Sequence, residues 1–252
     1  MVAFDIIGNI AILHLDKVTR QNKKFAKVLL KKHKNIKSVY SQSKISGRLR
    51  IPKLRWIAGK KQTEILHKES GCVLKLDINK CYFSPRLGTD RLEIAKKVKR
   101  GEKVLVMFSG VAPYGIVIGK KSKAKEIYCI EISRMASKYA KENVRLNKLA
   151  NIKIIQGDVK RIIPKLKTKF DRIVMARPQL KETFLKEAFK VSKLGTIIHF
   201  YDFVKEQNLK EVEYKITREA EKAKKKIKIT KIKKVREIAP YKYHIRIDFR
   251  IK

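Results

Sequence analysis

Between residues 102 and 203 the chain repeats a short apolar segment followed by a longer, more polar one. The apolar segments are EKVLVMF (102–108), KEIYCIEIS (125–133), NIKIIQGDV (151–159), FDRIVMARP (170–178) and GTIIHFYDF (195–203). RMASKYAKENVRLNKL (134–149) and LKETFLKEAFKVSK (180–193) lie between them with helical spacing of their apolar residues. Strands this apolar are covered on both faces, and connections long enough for a helix let successive strands run the same way. The pattern predicts a mostly parallel sheet with helices on both faces. A charged helix over about 208–226 follows. IKITKIKKVREI and KYHIRIDFRI then flank Ala239-Pro240, which predicts an antiparallel hairpin closing the sheet edge.

The first part of the chain is patterned differently. FDIIGNIAIL (4–13) is strand-like, with a turn or bulge at Gly8-Asn9. Residues 20–35 place Phe25, Val28 and Leu29 on one helical face with lysines opposite. IKSVYS is a short strand, a basic stretch covers 44–61, and residues 71–91 alternate before turning at Ser84-Pro85. The division expected is a smaller, basic α/β domain over 1–95 and a Rossmann-like domain over 96–252.

Charge narrows the choice of partner. Lys and Arg number 64 against 23 Asp and Glu, a formal net charge of +41, and 44% of residues are hydrophobic, enough to fold. In residues 1–60 the only acids are Asp5 and Asp16. Such an excess suits a phosphate-rich partner, nucleic acid first, over a merely lysine-rich solvated surface. Cys72, Cys81 and Cys129 form no C-x-x-C pair, and an odd number argues against a disulfide framework, so a reducing cytoplasm is expected. No apolar run reaches the ~18 residues of a membrane span. MVAFDIIGNIAIL lacks a basic lead-in and reads as a first strand rather than a signal peptide.

The loop after the 102–108 strand raises the question of a cofactor. In doubly wound sheets ligands sit at the carboxyl ends of the strands, with a small-residue loop for close approach and an acid about 20 residues on for the ribose. Gly110 opens such a loop, and Glu131 ends the next strand 21 residues later. Asp158, in QGDV, ends the third, where it could accept from an adenine amino group. Both acids could instead cap the helices that follow. Ala112-Pro113 stands where a dinucleotide fingerprint has glycine, which favours S-adenosylmethionine over NAD.

MFSGVAPYGIVI, CIEIS, ENVRLNKL, GDV and FDRIVM, together with HKESG, DINKCYFSPRLGTDR and REIAPYKYHIRIDF, resemble the archaeal and eukaryal tRNA (guanine-37 N1)-methyltransferases over nearly the whole chain. The family includes archaeal wyosine-pathway methyltransferases, and longer members carry a small N-terminal domain that the resemblance implies is missing here. The resemblance implies a class I S-adenosylmethionine-dependent methyltransferase acting at position 37 of the anticodon loop. Guanine N1 is the implied acceptor, with the 4-demethylwyosine base as a second one. It places the cofactor among Tyr82, Phe83, Arg91, Phe108, Ser109, Gly110, Val111, Glu131, Ile132, Gly157, Asp158, Val159 and Ala176.

The family's catalytic carboxylate falls on Asp90, where relatives usually have Glu, and its essential arginine on Arg50, with Arg48 beside it. A carboxylate in reach of N1 can take its proton, and a cation at O6 stabilises the charge that builds on the base. The bland reading pairs Asp90 with Arg86 or Arg91 on the surface. Arg48, Arg55, Trp56, Lys60, Arg86 and Arg177 are the candidate RNA contacts, with Trp56 offering a stacking face within a basic patch. Relatives that methylate guanine usually have Asn where this chain has Ala176. Ala176 and the family's paralogues leave aminocarboxypropyl transfer to 4-demethylwyosine open, although MFSGVAPYG resembles the methyl-transferring branch more, and Val106, Asp90 and Ala176 leave open a non-catalytic tRNA-binding protein. No metal is expected. His67 with Glu69 and His199 with Asp202 each lack a second ligand pair.

Overall fold

The structure is a computed structural model that describes residues 2–43, 47, 51–176 and 182–252. Strand β1 (Phe4–Ile7) turns at Gly8-Asn9 into the antiparallel β2 (Ile10–His14). Gly8 has φ 58°, and a Cβ there would press on the Leu66 carbonyl, so both conformation and space demand glycine. Helix α1 (Arg20–Lys32) starts at a Thr19–Asn22 capping box. It leads to β3 (Ser38–Gln42), parallel to β2, and then to β4 (Leu54–Gly59), which completes a sheet of order β1-β2-β3-β4.

Ala26 and Leu29 of α1 pack with Leu13, Val39 and Ile57 on one face of this sheet. Val28, expected on that apolar face, is 57% exposed, because the buried stripe of α1 is centred on Ala26 and Leu29 instead.

Ile10, Ile12 and Tyr40, on the other face, join a core that continues into the rest of the molecule. The bridge is a hairpin, β5 (Glu64–Glu69) with β6 (Cys72–Asp77). A short 3-10 turn over Pro85–Leu87 then feeds α2 (Gly88–Lys97).

The large sheet comprises β7 (Lys103–Met107), β8 (Glu126–Glu131), β9 (Ile152–Gln156), β10 (Phe170–Met175), β11 (Ser192–Lys205), β12 (Ile227–Ala239) and β13 (Lys242–Ile251). Its order is β12-β13-β11-β10-β7-β8-β9. The strands β7 to β11 pair in parallel, and β13 runs antiparallel to both β11 and β12, as the sequence predicts. Helices α3 (Pro113–Lys121), α4 (Arg134–Leu146), α5 (Val159–Ile162), α6 (Leu185–Lys190) and α7 (Leu209–Lys222) lie between the strands. Clusters around Val104 and Val106 on one side, and Leu105 and Phe249 on the other, show that the sheet is covered on both faces.

Asn143 of α4 and Asn147, which caps its C-terminus, dock the hairpin. Asn147 Oδ1 accepts from Val73 N at 2.9 Å and its Nδ2 donates to Val73 O at 2.7 Å. Asn143 Oδ1 accepts from Lys75 N at 2.6 Å, and its Nδ2 donates to Lys75 O and to Val111 O at 3.1 and 3.0 Å. The free edge of β6 thus finds side-chain amides where a neighbouring strand would be. Val73 and Lys75 of the hairpin are bound by these contacts to α4, while the first sheet ends at Gly59.

Candidate cofactor cleft and acceptor site

Four parallel strands end along one edge, at Met107, Glu131, Gln156 and Met175, and the loops beyond them carry the expected cofactor residues. After β7 the backbone is left-handed at Phe108, Gly110 and Ala112, with φ 60°, 57° and 63°. Glycine takes that conformation freely. Phe108 and Ala112 do so at a cost of roughly 1–2 kcal/mol each, which the fixed surroundings must offset.

Those surroundings are hydrogen bonds. Ser109 N donates to Ile130 O and Ala112 N to Ser109 O, both at 2.9 Å. Glu131 then joins three strand ends. Its Oε2 accepts from Gly110 N at 2.7 Å, its Oε1 from Ser133 N at 2.8 Å, and its backbone carbonyl from Gly157 N at 2.8 Å.

The cradle fits an adenosyl cofactor. Each carboxylate oxygen of Glu131 retains a lone pair for a ribose hydroxyl. Ser109 Oγ is buried without a hydrogen-bond partner among the described residues, a donor and acceptor left for a ligand. Even with a Cβ added, Gly110 would meet only the Tyr82 carbonyl, 3.9 Å away, so the loop is open on that side and Tyr82 borders it. The Phe108 ring stands edge-on to Phe184 at 5.0 Å, and Ile132 O accepts from Gln156 Nε2 at 3.3 Å. Val111 and Val159 are buried beneath the loops. Asp158 caps α5, accepting from Lys160 N at 2.9 Å, so the capping role weighed for this acid is present. Ala176 is half-buried just past the end of β10.

Arg91, expected at the cofactor, is turned into the protein interior. It is buried, grips Glu69 through two bonds of 2.6 and 2.5 Å, donates to Ser84 O at 3.1 Å, and lies 5.1 Å over the Phe83 ring. These contacts anchor the turn before α2 to the β5–β6 hairpin. Phe83, buried against His67 at 5.0 Å, is part of the same packing. Arg86 is exposed but spends its Nε on Asp5 at 2.6 Å, tying that turn to the first sheet. His67 approaches Glu69 at 3.5 Å, and His199 pairs with Asp248 at 2.6 Å rather than with Asp202. Arg55, Trp56 and Lys60 lie together on or beside β4, exposed, with Lys61 Nζ 5.2 Å over the Trp56 ring. Arg48, Arg50 and Arg177 lie outside the described residues.

Asp90 is in the first turn of α2, but its carboxylate is turned inward and 2% exposed. It pairs with neither Arg86 nor Arg91. Oδ1 accepts from Arg246 Nη1, and Oδ2 accepts from the hydroxyls of Tyr201 at 2.5 Å and Tyr114 at 2.8 Å. Burial in this cage pushes both phenols well above their ordinary values, with the Asp90 charge adding to the effect. Arg246 is wholly buried, and it also binds Glu93 at 2.6 Å and Asp248 at 2.8 Å. Sequence reading missed Arg246, Tyr114 and Tyr201. An arginine among the apolar residues of KYHIRIDFRI is the one local signal, since a buried arginine demands carboxylates.

The comparisons with known proteins agree with this architecture. Residues 65–230 match the TRM5/TYW2 methyltransferase domain and residues 2–63 the TYW2 N-terminal domain. The chain belongs to the TRM5/TYW2 methyltransferase family. It is 39% identical to the Pyrococcus abyssi tRNA (guanine(37)-N(1))-methyltransferase Trm5b, covering 99% of this chain and 74% of that protein. It is 34% identical to the Nanoarchaeum equitans tRNA (guanine(37)-N(1))/4-demethylwyosine(37)-methyltransferase Taw22, covering 98% and 99%. A Methanocaldococcus jannaschii tRNA(Phe) (4-demethylwyosine(37)-C(7)) aminocarboxypropyltransferase is 33% identical over 82% of each chain. Among solved structures, Trm5b from P. abyssi superimposes with a TM-score of 0.88 at 38% identity, covering 99% of this chain and 75% of that one. M. jannaschii TYW2 in complex with AdoMet gives 0.76 at 26% identity over 99% of both. Among the described residues no helix is long and apolar enough to cross a membrane.

Proposed function

We propose that this chain is an S-adenosylmethionine-dependent tRNA methyltransferase of the cytoplasm acting at position 37, with guanine N1 as acceptor and the 4-demethylwyosine base as a second substrate. The observation that carries the reading is the joining of Gly110, Ser133 and Gly157 by Glu131 in a chain of this family. When bound, the cofactor supplies a methyl group on a sulfonium. Glu131 holds the ribose through its remaining lone pairs, Ser109 offers its hydroxyl, and the Gly110 loop gives the close backbone approach.

Asp90 is the proposed proton acceptor for the attacking nitrogen. Both of its oxygens are engaged, so one hydroxyl partner, Tyr114 or Tyr201, must give way before it can take a proton from a base. Arg50 is the proposed cation at O6. The exposed Arg55, Trp56 and Lys60, with Arg48 and Arg177, are the proposed RNA contacts, and residue 37, unpaired in the anticodon loop, is cheap to extrude. A second reading, aminocarboxypropyl transfer from the same cofactor, is favoured by the 33% identity to a transferase of that name.

Incubating the protein with unmodified tRNA transcript and S-adenosylmethionine, followed by mass spectrometry of the nucleosides, tests both. 1-Methylguanosine at position 37 is the expected product. An aminocarboxypropyl adduct formed only on the wyosine-precursor tRNA would replace the first reading with the second. No product on either would leave only tRNA binding.

A further inference from the structure

Arg246 is an unusual residue for a strand in the middle of a sheet. Strand β13 is paired on both sides, by β11 and β12, and Arg246 is 0% exposed within it. Three carboxylates surround the guanidinium: Asp90 and Glu93 from α2 and Asp248 from β13 itself. The carboxylates outweigh burial and raise its affinity for its proton further, so it stays charged. A buried ion cluster of this kind adds little net stability, because desolvation cancels most of the attraction. Its geometric content is greater. The planar fork binds each carboxylate in a set direction, which a single ammonium cannot do.

The location of the cluster is informative. Pairing between β10 and β11 runs to Met175 opposite Phe200, so Ala176 and Tyr201 are the next residues along the same edge. Tyr114 is two residues beyond Ala112, in the first turn of the helix that the Gly110 loop opens. Asp90 therefore reaches the end of β10–β11 through Tyr201 and the start of the cofactor loop's helix through Tyr114. Among the described residues Arg246 is the only cation hydrogen-bonded to Asp90, with Lys233 Nζ 4.0 Å away.

We propose that Arg246 is a positioning residue for methyl transfer: it fixes the direction of the Asp90 carboxylate at the acceptor side of the cleft. This rests on the methyltransferase reading. The test is steady-state methylation of tRNA by Arg246→Lys beside the parent protein, with kcat and both KM values measured. The control is Leu29→Ala, which opens the core of the first sheet, away from the Arg246 cluster.

Arg246→Lys is expected to lower kcat at least tenfold, with KM for cofactor and tRNA within threefold. Leu29→Ala is expected to lower the melting temperature with kcat within twofold. Equal kcat losses in the two variants, or none in Arg246→Lys, would overturn the proposal and leave the methyltransferase reading intact. An inactive parent protein would overturn both. If Arg246→Lys does not fold, Glu93→Gln, which releases Arg246 Nη2 from a half-exposed carboxylate, is expected to lower kcat at least threefold. An unchanged kcat there would overturn the proposal.

Discussion

Glu131 accepts the Gly110 amide at 2.7 Å, across 21 positions of sequence, and so closes the turn of β7 onto the end of β8. One carboxylate therefore shapes the loop and presents the acid of the cradle. Glu131→Ala removes both acceptors of the Gly110 and Ser133 amides. S-adenosylmethionine affinity, measured by titration calorimetry, is expected to weaken at least tenfold, or about 1.4 kcal/mol. Unchanged affinity would exclude Glu131 from the cofactor site.

Gly115 packs helix α3 against β8 with no room for a side chain. A Cβ there would overlap Cys129 Sγ, which is itself wholly buried. Gly115→Ala is expected to cost ~1–3 kcal/mol, as overpacking does. Adding Cys129→Ala in the same chain should recover most of that in a urea melt. Additive losses would mean the contact is not what limits position 115.

Removing one partner of a buried ion pair leaves the other uncompensated, at about 3–5 kcal/mol. Arg91 and Glu69 are 2% and 8% exposed in their side chains, so Glu69→Gln is expected to destabilise by roughly that much. The cofactor affinity of the folded fraction should not change. A selective loss of cofactor binding would restore Arg91 to the cofactor site.

Burial alone would raise the Glu93 pKa, but hydrogen bonds from Lys233 and Arg246 outweigh it and bring the group from 4.5 down to about 2. A folded-state value below the unfolded one means the stabilisation is complete above about pH 4.5. It is lost as pH falls toward about 2. The melting temperature should fall through that window, and Glu93→Gln should fall less steeply. Parallel curves for the two proteins would show that Glu93 contributes nothing to acid sensitivity.

Cys129 and Cys81 are pushed up to about 12 by burial, and Cys72 is raised as well. A thiolate-selective reagent at about pH 8 should label none of the three in the native protein and all of them in denaturant. Rapid native labelling would mean the cores around β6 and β8 open readily.

The alternation of apolar strands and helices, the closing hairpin and the Gly110–Glu131 spacing are local or periodic facts, legible without coordinates. Periodicity records which residues share a face, and a glycine loop followed by an acid records where one strand ends and another begins. The amphipathic face of α1 was legible only in part, because Phe25, Ala26, Val28 and Leu29 lie too close together for spacing alone to centre the stripe. The first unit was harder still. Asn143 and Asn147 lie some 68 and 74 positions from Lys75 and Val73, the hairpin residues they bind, and spacing does not reveal such contacts. The surroundings of Asp90 were scarcely legible. Its partners Tyr114, Tyr201 and Arg246 lie 24, 111 and 156 residues away, and only the arginine set among the apolar residues of KYHIRIDFRI leaves a local signal. The sequence by itself determined the layered α/β architecture and the cofactor loop, because strand period and loop chemistry act over a few residues. Only the tertiary structure decided which carboxylates are buried and which cation each one meets, because those pairings depend on how distant elements pack.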